Sequence, residues 1–321
     1  MTEKKDGARL GPFRLAPWFS PRPWGRRDLR PWYSEQFREP VGEAWLTGPE
    51  SLVETGRMAG RTLGQIAASE GEALLGADAG GAASKGAEFP LLVKLLFPDD
   101  KLSVQVHPDD AQAQAMGQPR GKTECWYVLE ARPGAAIALG LKPGTTADGV
   151  RAAITAGTME ERMQWVPVTK GEMVFVDAGT VHAIGPGVVL LETQQTCDIT
   201  FRMYDYGRGR ELHVEQALKV MKLQTAAGKV ASRKMDGFTR LIEQRYFVVD
   251  RYEVGPGGEV NVPGGNAGCL VGLSGSGSVE SGGAEAVELP AGQAVVVPAD
   301  AGPVLVKGDA GVSFVRCWAP V

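Results

Sequence analysis

The chain has 321 residues, with 34 basic against 38 acidic side chains and a formal net charge of −4. This balance, with no polybasic block, argues against nucleic acid or an anionic membrane as the main partner, and no apolar run approaches the length needed to span a bilayer. The length is large for a single core, so two domains are expected. The N-terminus, MTEKKDGARLGPFRL, is charged and lacks the apolar centre of a signal peptide. Cys125, Cys197, Cys269 and Cys317 form no CxxC pair, so neither a zinc ribbon nor a disulfide framework is indicated, and a reducing cytoplasm is the expected setting.

In chain order, residues 1–60 are rich in Pro, Trp and Arg. RPWGRRDLRPWY reads as ordered coil and turn, and Val41–Gly48 as a short strand. Trp24, Trp32 and Trp45 are expected in ordinary aromatic packing rather than ligand stacking. Arg61–Leu75 has helical spacing, and Gly76–Lys85 is a Gly/Ala-rich loop. Pro90–Phe97, PLLVKLLF, is an apolar run with one lysine, as in a buried strand. From Leu102 to His107 apolar and polar residues alternate, so Ser103, Gln105 and His107 share one strand face. Pro108 stops the strand and Asp109 caps a helix over Ala111–Met116. A second strand then places Lys122, Glu124 and Trp126 on one face.

Ala135–Gly140 is another expected strand, and Thr145–Trp165 two short helices broken at Gly157. Met173–Val176, a tight turn at Asp177-Ala-Gly-Thr, and a strand starting at His182 follow. Val188–Gln195 and Ile199–Tyr206 continue the β pattern, and His213–Leu223 is helical. A polar linker runs to about Arg240, and Leu241–Val321 has the short-interval turns of an all-β module. His107, His182 and His213 are the three histidines. The first two sit at strand–turn junctions beside a polar strand face, whereas His213 has no such context. Folded together, the first strands present Gln105, His107 and Glu124 to one point, with Ser103 and Lys122 near its rim. Imidazole, carboxylate and amide oxygen make a mixed N/O site suited to zinc or a neighbouring divalent metal.

Gly171, five residues, then Asp177-x-Gly179-x-x-His182 resembles the second motif of the cupin family, and Gln105-x-His107 resembles the first. With QVHPDD, GKTECWY, PVTKGEMVFVDAGTVHAI, LLETQQTCDITFRMYDYGR, RPWG and GEAW in order, residues 20–220 closely resemble the type I mannose-6-phosphate isomerases. The resemblance implies a zinc ion held by Gln105, His107, Glu124 and His182. It further implies conversion of mannose 6-phosphate to fructose 6-phosphate, moving a proton between C1 and C2 through a cis-enediol(ate).

That reaction needs a base, a cation facing the developing oxyanion and an anchor for the phosphate. Glu192, in the apolar strand after His182, is a candidate base whose pKa desolvation would raise, or else a carboxylate that positions an arginine. Arg202 matches an active-site arginine of the family, its alternative being an ion pair with Asp198. Lys122 is by resemblance an active-site cation, and Ser103 is expected to donate to the phosphate. Arg208 stands where some relatives have a phosphate-binding lysine six residues after the arginine.

Farther on, Gly292 and Pro298–Pro303 repeat the turn pattern of Gly171–His182, with Pro303 in place of the histidine. The expectation is therefore a mainly β chain of two cupin-like barrels. A catalytic domain would span 1–235, with a helical insertion near 143–165, and a domain without metal ligands would span 236–321. The expected partner is a small phosphosugar, and the expected state monomer or homodimer. A metal-dependent cupin oxygenase fits two histidines and a glutamine less well. A non-catalytic sugar-phosphate sensor would more naturally lack Arg202 or Glu192.

Overall fold

The computed structural model describes residues 9–76 and 88–320. The chain is mainly β and divides into two compact units, one of Phe19–Trp45 and Leu92–Ser232, the other of the described residues within Met1–Trp18, Leu46–Leu91 and Arg233–Val321. The division expected at 235/236 differs from this. Residues 9–18 and much of 46–91 group with the C-terminal strands, because Phe13–Leu15 pairs with Ala294–Val297.

The first unit contains two antiparallel sheets. The seven-stranded sheet runs, in spatial order, Gly228–Val230, Met173–Val176, Glu124–Ala131, Val188–Gln195, Leu91–Leu96, Gln36–Trp45 and Trp18–Asp28. The five-stranded sheet runs Phe201–Tyr204, Val104–Val106, His182–Ile184, Ala136–Leu141 and Met163–Pro167. Trp126, Val128, Val174 and Leu190 of one sheet share an apolar cluster with Ile137, Leu139 and Ile184 of the other. Val104, Val106 and Ala183 belong instead to a cluster with Val150, Ala153 and Ala217 of the helices Ala147–Ala156 and Val214–Val220. Because side chains alternate across a strand, Gln105 and His182 are thereby turned toward the space between the sheets. Among the described residues neither sheet closes on itself, so the sandwich is observed and a closed barrel is not.

Local signals explain the helices. Asp109 caps Asp110–Ala115 through a capping box with Gln112. Thr146 caps Ala147–Ala156, which ends at Gly157 with φ 71°, a left-handed position that glycine takes without a Cβ clash. The second expected helix of this insertion is one 3-10 turn, Met159–Arg162. Arg61–Leu75 contains two short helices, Leu63–Ser69 and Gly71–Leu75. Of the Gly/Ala-rich loop, residues 77–85 lie outside the described part.

Two sequence expectations are corrected. RPWGRRD is not coil but part of the strand Trp18–Asp28, the last strand of the seven-stranded sheet. At an edge, Pro21 and Pro23 need not donate to two neighbours. The polar linker also contains strands, Gly228–Val230 and Arg233–Lys234, both terminal in their sheets.

The second unit carries a ten-stranded antiparallel sheet. Tyr252 stacks on Phe314 at 5.0 Å between ring centroids and on Phe238 at 5.3 Å, within an apolar core. This unit has no histidine, since none follows His213 or precedes His107. Among the described residues no helix is long and apolar enough to cross a membrane.

Candidate active site

Three neighbouring strands place one row of side chains. His182 is the cross-strand partner of Gln105, and Gln105 that of Arg202. Directly opposed residues in an antiparallel pair lie on the same face, so these three are neighbours. Glu124 enters from the facing sheet and His107 from the end of the Val104–Val106 strand. His107, Glu124 and His182 are buried, and one potential ligand atom from each lies within 4.8 Å of the others.

The hydrogen bonds fix which imidazole nitrogen is available. His107 Nδ1 is 2.8 Å from the Ile199 carbonyl, and His182 Nδ1 is 2.9 Å from the Thr180 carbonyl. A carbonyl only accepts, so both rings carry their proton on Nδ1 and leave the Nε2 lone pair to the cluster, an arrangement common around metal ligands. Burial depresses both histidines, His182 to about 4 and His107 well below its ordinary value, the latter aided by the charge of Lys122. They are therefore neutral and able to ligate at neutral pH.

Glu124 is fully buried, and neither oxygen receives a well-directed hydrogen bond. Its Oε1 lies 3.3 Å from His182 Nε2, and its Oε2 lies 3.8 Å from His107 Nε2 and 3.1 Å from Lys122 Nζ. Gln105 Nε2 is 3.3 Å from His182 Nε2, while Ser103 Oγ donates to Gln105 Oε1 at 3.3 Å. A half-turn of the amide exchanges its nitrogen and oxygen, bringing the oxygen toward the cluster while the amide nitrogen donates to Ser103. Two imidazoles, a carboxylate and an amide oxygen around unsatisfied, buried oxygens fit a divalent metal.

Backbone packing sets this geometry. The Cβ of an alanine at Gly121 would stand 2.4 Å from the Asp109 carbonyl carbon and 2.5 Å from the Pro108 oxygen. Lys122 N donates to that same oxygen at 3.0 Å, tying the strand of Glu124 to the segment after His107. Gly121→Ala is expected to destabilise the fold by about 1–3 kcal/mol through overpacking and to weaken metal retention. Thermal melting with metal analysis checks this; an unchanged Tm and metal content would contradict it.

Gln105 and Lys122 line a cavity of about 420 Å³, together with Arg22, Trp24, Glu43, Lys94, Ser103, Glu192, Asp198, Thr200, Arg202 and Arg210. Burial opposes the charge on Lys122, but Glu124 and Glu192 outweigh it and hold its pKa above the ordinary lysine value. Glu192 is buried, and its pKa is raised by desolvation and by the charge of Glu124. Its Oε2 accepts from Trp126 Nε1 at 3.2 Å, and its Oε1 lies 3.8 Å from Lys94 Nζ. The cation beside it is thus Lys94, not an arginine. Asp198 also faces Lys94, at 3.4 Å, rather than pairing with Arg202. Arg202 donates from Nη1 to the Glu211 carbonyl at 2.9 Å, and its buried Nε has no hydrogen-bond partner.

Of the expected site residues, Ser103, Gln105, Lys122, Glu192 and Arg202 reach this cavity, with His107, Glu124 and His182 beside it. Arg208 does not line it. Its guanidinium is bonded to Asp100 at 2.7 Å, to the Lys101 carbonyl at 2.7 Å and to Asp205 at 3.3 Å. Sequence reasoning passed over Arg22, Glu43, Lys94 and Arg210. Lys94 carried a signal, the single charge in PLLVKLLF, since a buried lysine requires partners. It has Glu43 at 3.9 Å, Glu192, Asp198 and the Trp45 ring at 4.1 Å.

Residues 13–141 match the sequence model of phosphomannose isomerase type I, catalytic domain. Mannose-6-phosphate isomerase of Streptococcus mutans is 36% identical over 245 residues, which cover 72% of this chain and 75% of the relative. The probable mannose-6-phosphate isomerase GmuF of Bacillus subtilis is 32% identical over 318 residues, or 92% of this chain and 96% of the relative. The crystal structure of mannose 6-phosphate isomerase from Bacillus subtilis superposes with a TM-score of 0.83 at 27% identity, covering 96% of this chain and 99% of that one. On the strength of these relatives and of the metal-ligand cluster beside the cavity, the chain belongs to the mannose-6-phosphate isomerase family and is an isomerase.

Proposed function

We propose that this chain interconverts mannose 6-phosphate and fructose 6-phosphate at the cavity beside Gln105, His107, Glu124 and His182, with zinc as the resident metal. The observation that carries this is the buried donor set next to a cavity holding both a desolvated carboxylate, Glu192, and a guanidinium with an unsatisfied nitrogen, Arg202. Gln105, His107, Glu124 and His182 would hold the zinc, which would supply positive charge at the reacting end of the sugar.

The chain's own residues account for the rest. Glu192, of raised pKa, takes and returns the proton, and Trp126 fixes its orientation. Lys122 and Arg202 stabilise the developing enediolate oxygens. Ser103 donates to the phosphosugar. Arg202→Ala is expected to keep its metal and lose about 10²-fold in kcat, the scale of one oxyanion donor; unchanged turnover would remove it from the mechanism.

The repeated turn pattern and the sandwich packing of the first unit support reading both units as cupin-type domains, the second without metal ligands. Among the described residues Cys125, Cys197, Cys269 and Cys317 form no disulfide, which supports a cytoplasmic setting. The direct chemical test is incubation with mannose 6-phosphate in deuterated water. Deuterium entering fructose 6-phosphate at C1, and recovered mannose 6-phosphate at C2, on the timescale of turnover supports proton transfer through an enediol. Sugar that is bound but neither exchanged nor converted would instead support a sensor.

A further inference from the structure

Three guanidinium groups line the cavity, those of Arg22, Arg202 and Arg210. They come from separate places in the chain. Arg22 lies on the last strand of the seven-stranded sheet, Arg202 on the strand next to Val104–Val106, and Arg210 in the segment that follows. Like charges so gathered repel, and burial with the charge of Arg210 depresses the pKa of Arg202 below the ordinary arginine value.

Two of the three are clamped by carboxylates. Glu43 accepts from Arg22 Nε at 2.8 Å and from its Nη2 at 3.3 Å. Asp205 accepts from Arg210 Nε at 2.8 Å. Glu43 is itself fixed, accepting from Trp45 Nε1 at 2.7 Å. Burial pushes its pKa up, but the charges of Lys94 and Arg22 outweigh this and hold it ionised. Arg22 Nη1 donates to the Pro21 carbonyl at 3.3 Å, which leaves one N–H on each terminal nitrogen for a ligand.

We infer that Arg22, positioned by Glu43, and Arg210, positioned by Asp205, form the subsite for the substrate's phosphate, beside Arg202 at the reacting end. Planar guanidinium forks match phosphate oxygens, and several are needed to offset a dianion. The subsite replaces the anchor that the sequence placed at Arg208. It rests on the phosphosugar proposal above and identifies which cations hold the anionic end.

The test is calorimetric titration of inorganic phosphate into the metal-loaded full chain and its Arg22→Ala, Arg22→Lys and Glu43→Gln variants, with KM and kcat for mannose 6-phosphate measured alongside. Arg22→Ala is expected to weaken phosphate binding by about tenfold or more, as for one lost charge-assisted hydrogen bond, with a matching rise in KM and a smaller fall in kcat. Arg22→Lys, which keeps the charge but loses the fork, should fall between, and Glu43→Gln should raise KM more than it lowers kcat. Equal phosphate affinity and KM in wild type and the folded Arg22 variants would overturn the subsite, as would a wild type that binds no phosphate. Binding that depends on Arg22 in a chain that does not isomerise mannose 6-phosphate would refute the isomerase proposal while supporting the subsite.

Discussion

Glu124→Gln is expected to lose most of its bound metal and to lower turnover by a factor on the order of 10³. Glu124 is the only carboxylate in the donor set, so its charge is what offsets the divalent ion most directly. It is fully buried, with no water-exposed position from which solvent could replace it. The substitution nearly preserves volume, but it deprives Lys122, 3.1 Å away, of its nearest counter-charge and leaves Glu192 as its remaining buried carboxylate partner. Metal analysis beside a turnover assay checks the prediction. Full activity with a normal metal content would refute the ligand role.

Glu192→Gln should separate chemistry from metal binding. The amide can still accept from Trp126 Nε1, now 3.2 Å from the carboxylate, and the side-chain volume barely changes, so fold and metal should persist. What it cannot do is exchange a proton with carbon, and kcat is expected to fall by about 10²–10⁴. Deuterium entry at C1 of fructose 6-phosphate and C2 of mannose 6-phosphate should fall in step. Lys94, with Glu43 and Asp198 still facing it, stays compensated, which limits any collapse of the cavity wall. Undiminished kcat and exchange would make Glu192 a structural counter-ion of Lys94 and move the base elsewhere.

The placement of the candidate metal donors was legible in the sequence because local rules set it. Period-two alternation sets Gln105 between two core valines, Pro108 and the Asp109 cap end that strand just past His107, and the turn at Gly179 delivers His182. The rest of the cavity depended on long-range pairing. Trp18–Asp28 resembles coil because its prolines suit an edge strand, and edge position is a property of the sheet. Arg22 and its partner Glu43 were therefore hidden. Arg208 and Arg210 differ in sequence by two positions, yet one lines the cavity and the other does not. Tyr206, Gly207 and Gly209 all have left-handed φ, at 54°, 77° and 75°, and this turn decides which arginine is delivered. That residues 9–18 group with the C-terminal strands is hidden for a similar reason, since nothing local announces the pairing of Phe13 with Val296.

The most direct measurement is a coupled assay for fructose 6-phosphate formed from mannose 6-phosphate, run on the protein as purified, after chelation, and after adding back zinc. Activity is expected that is lost to the chelator and restored by the metal. No conversion by folded, metal-loaded protein, or full conversion by protein shown to be free of metal, would contradict it.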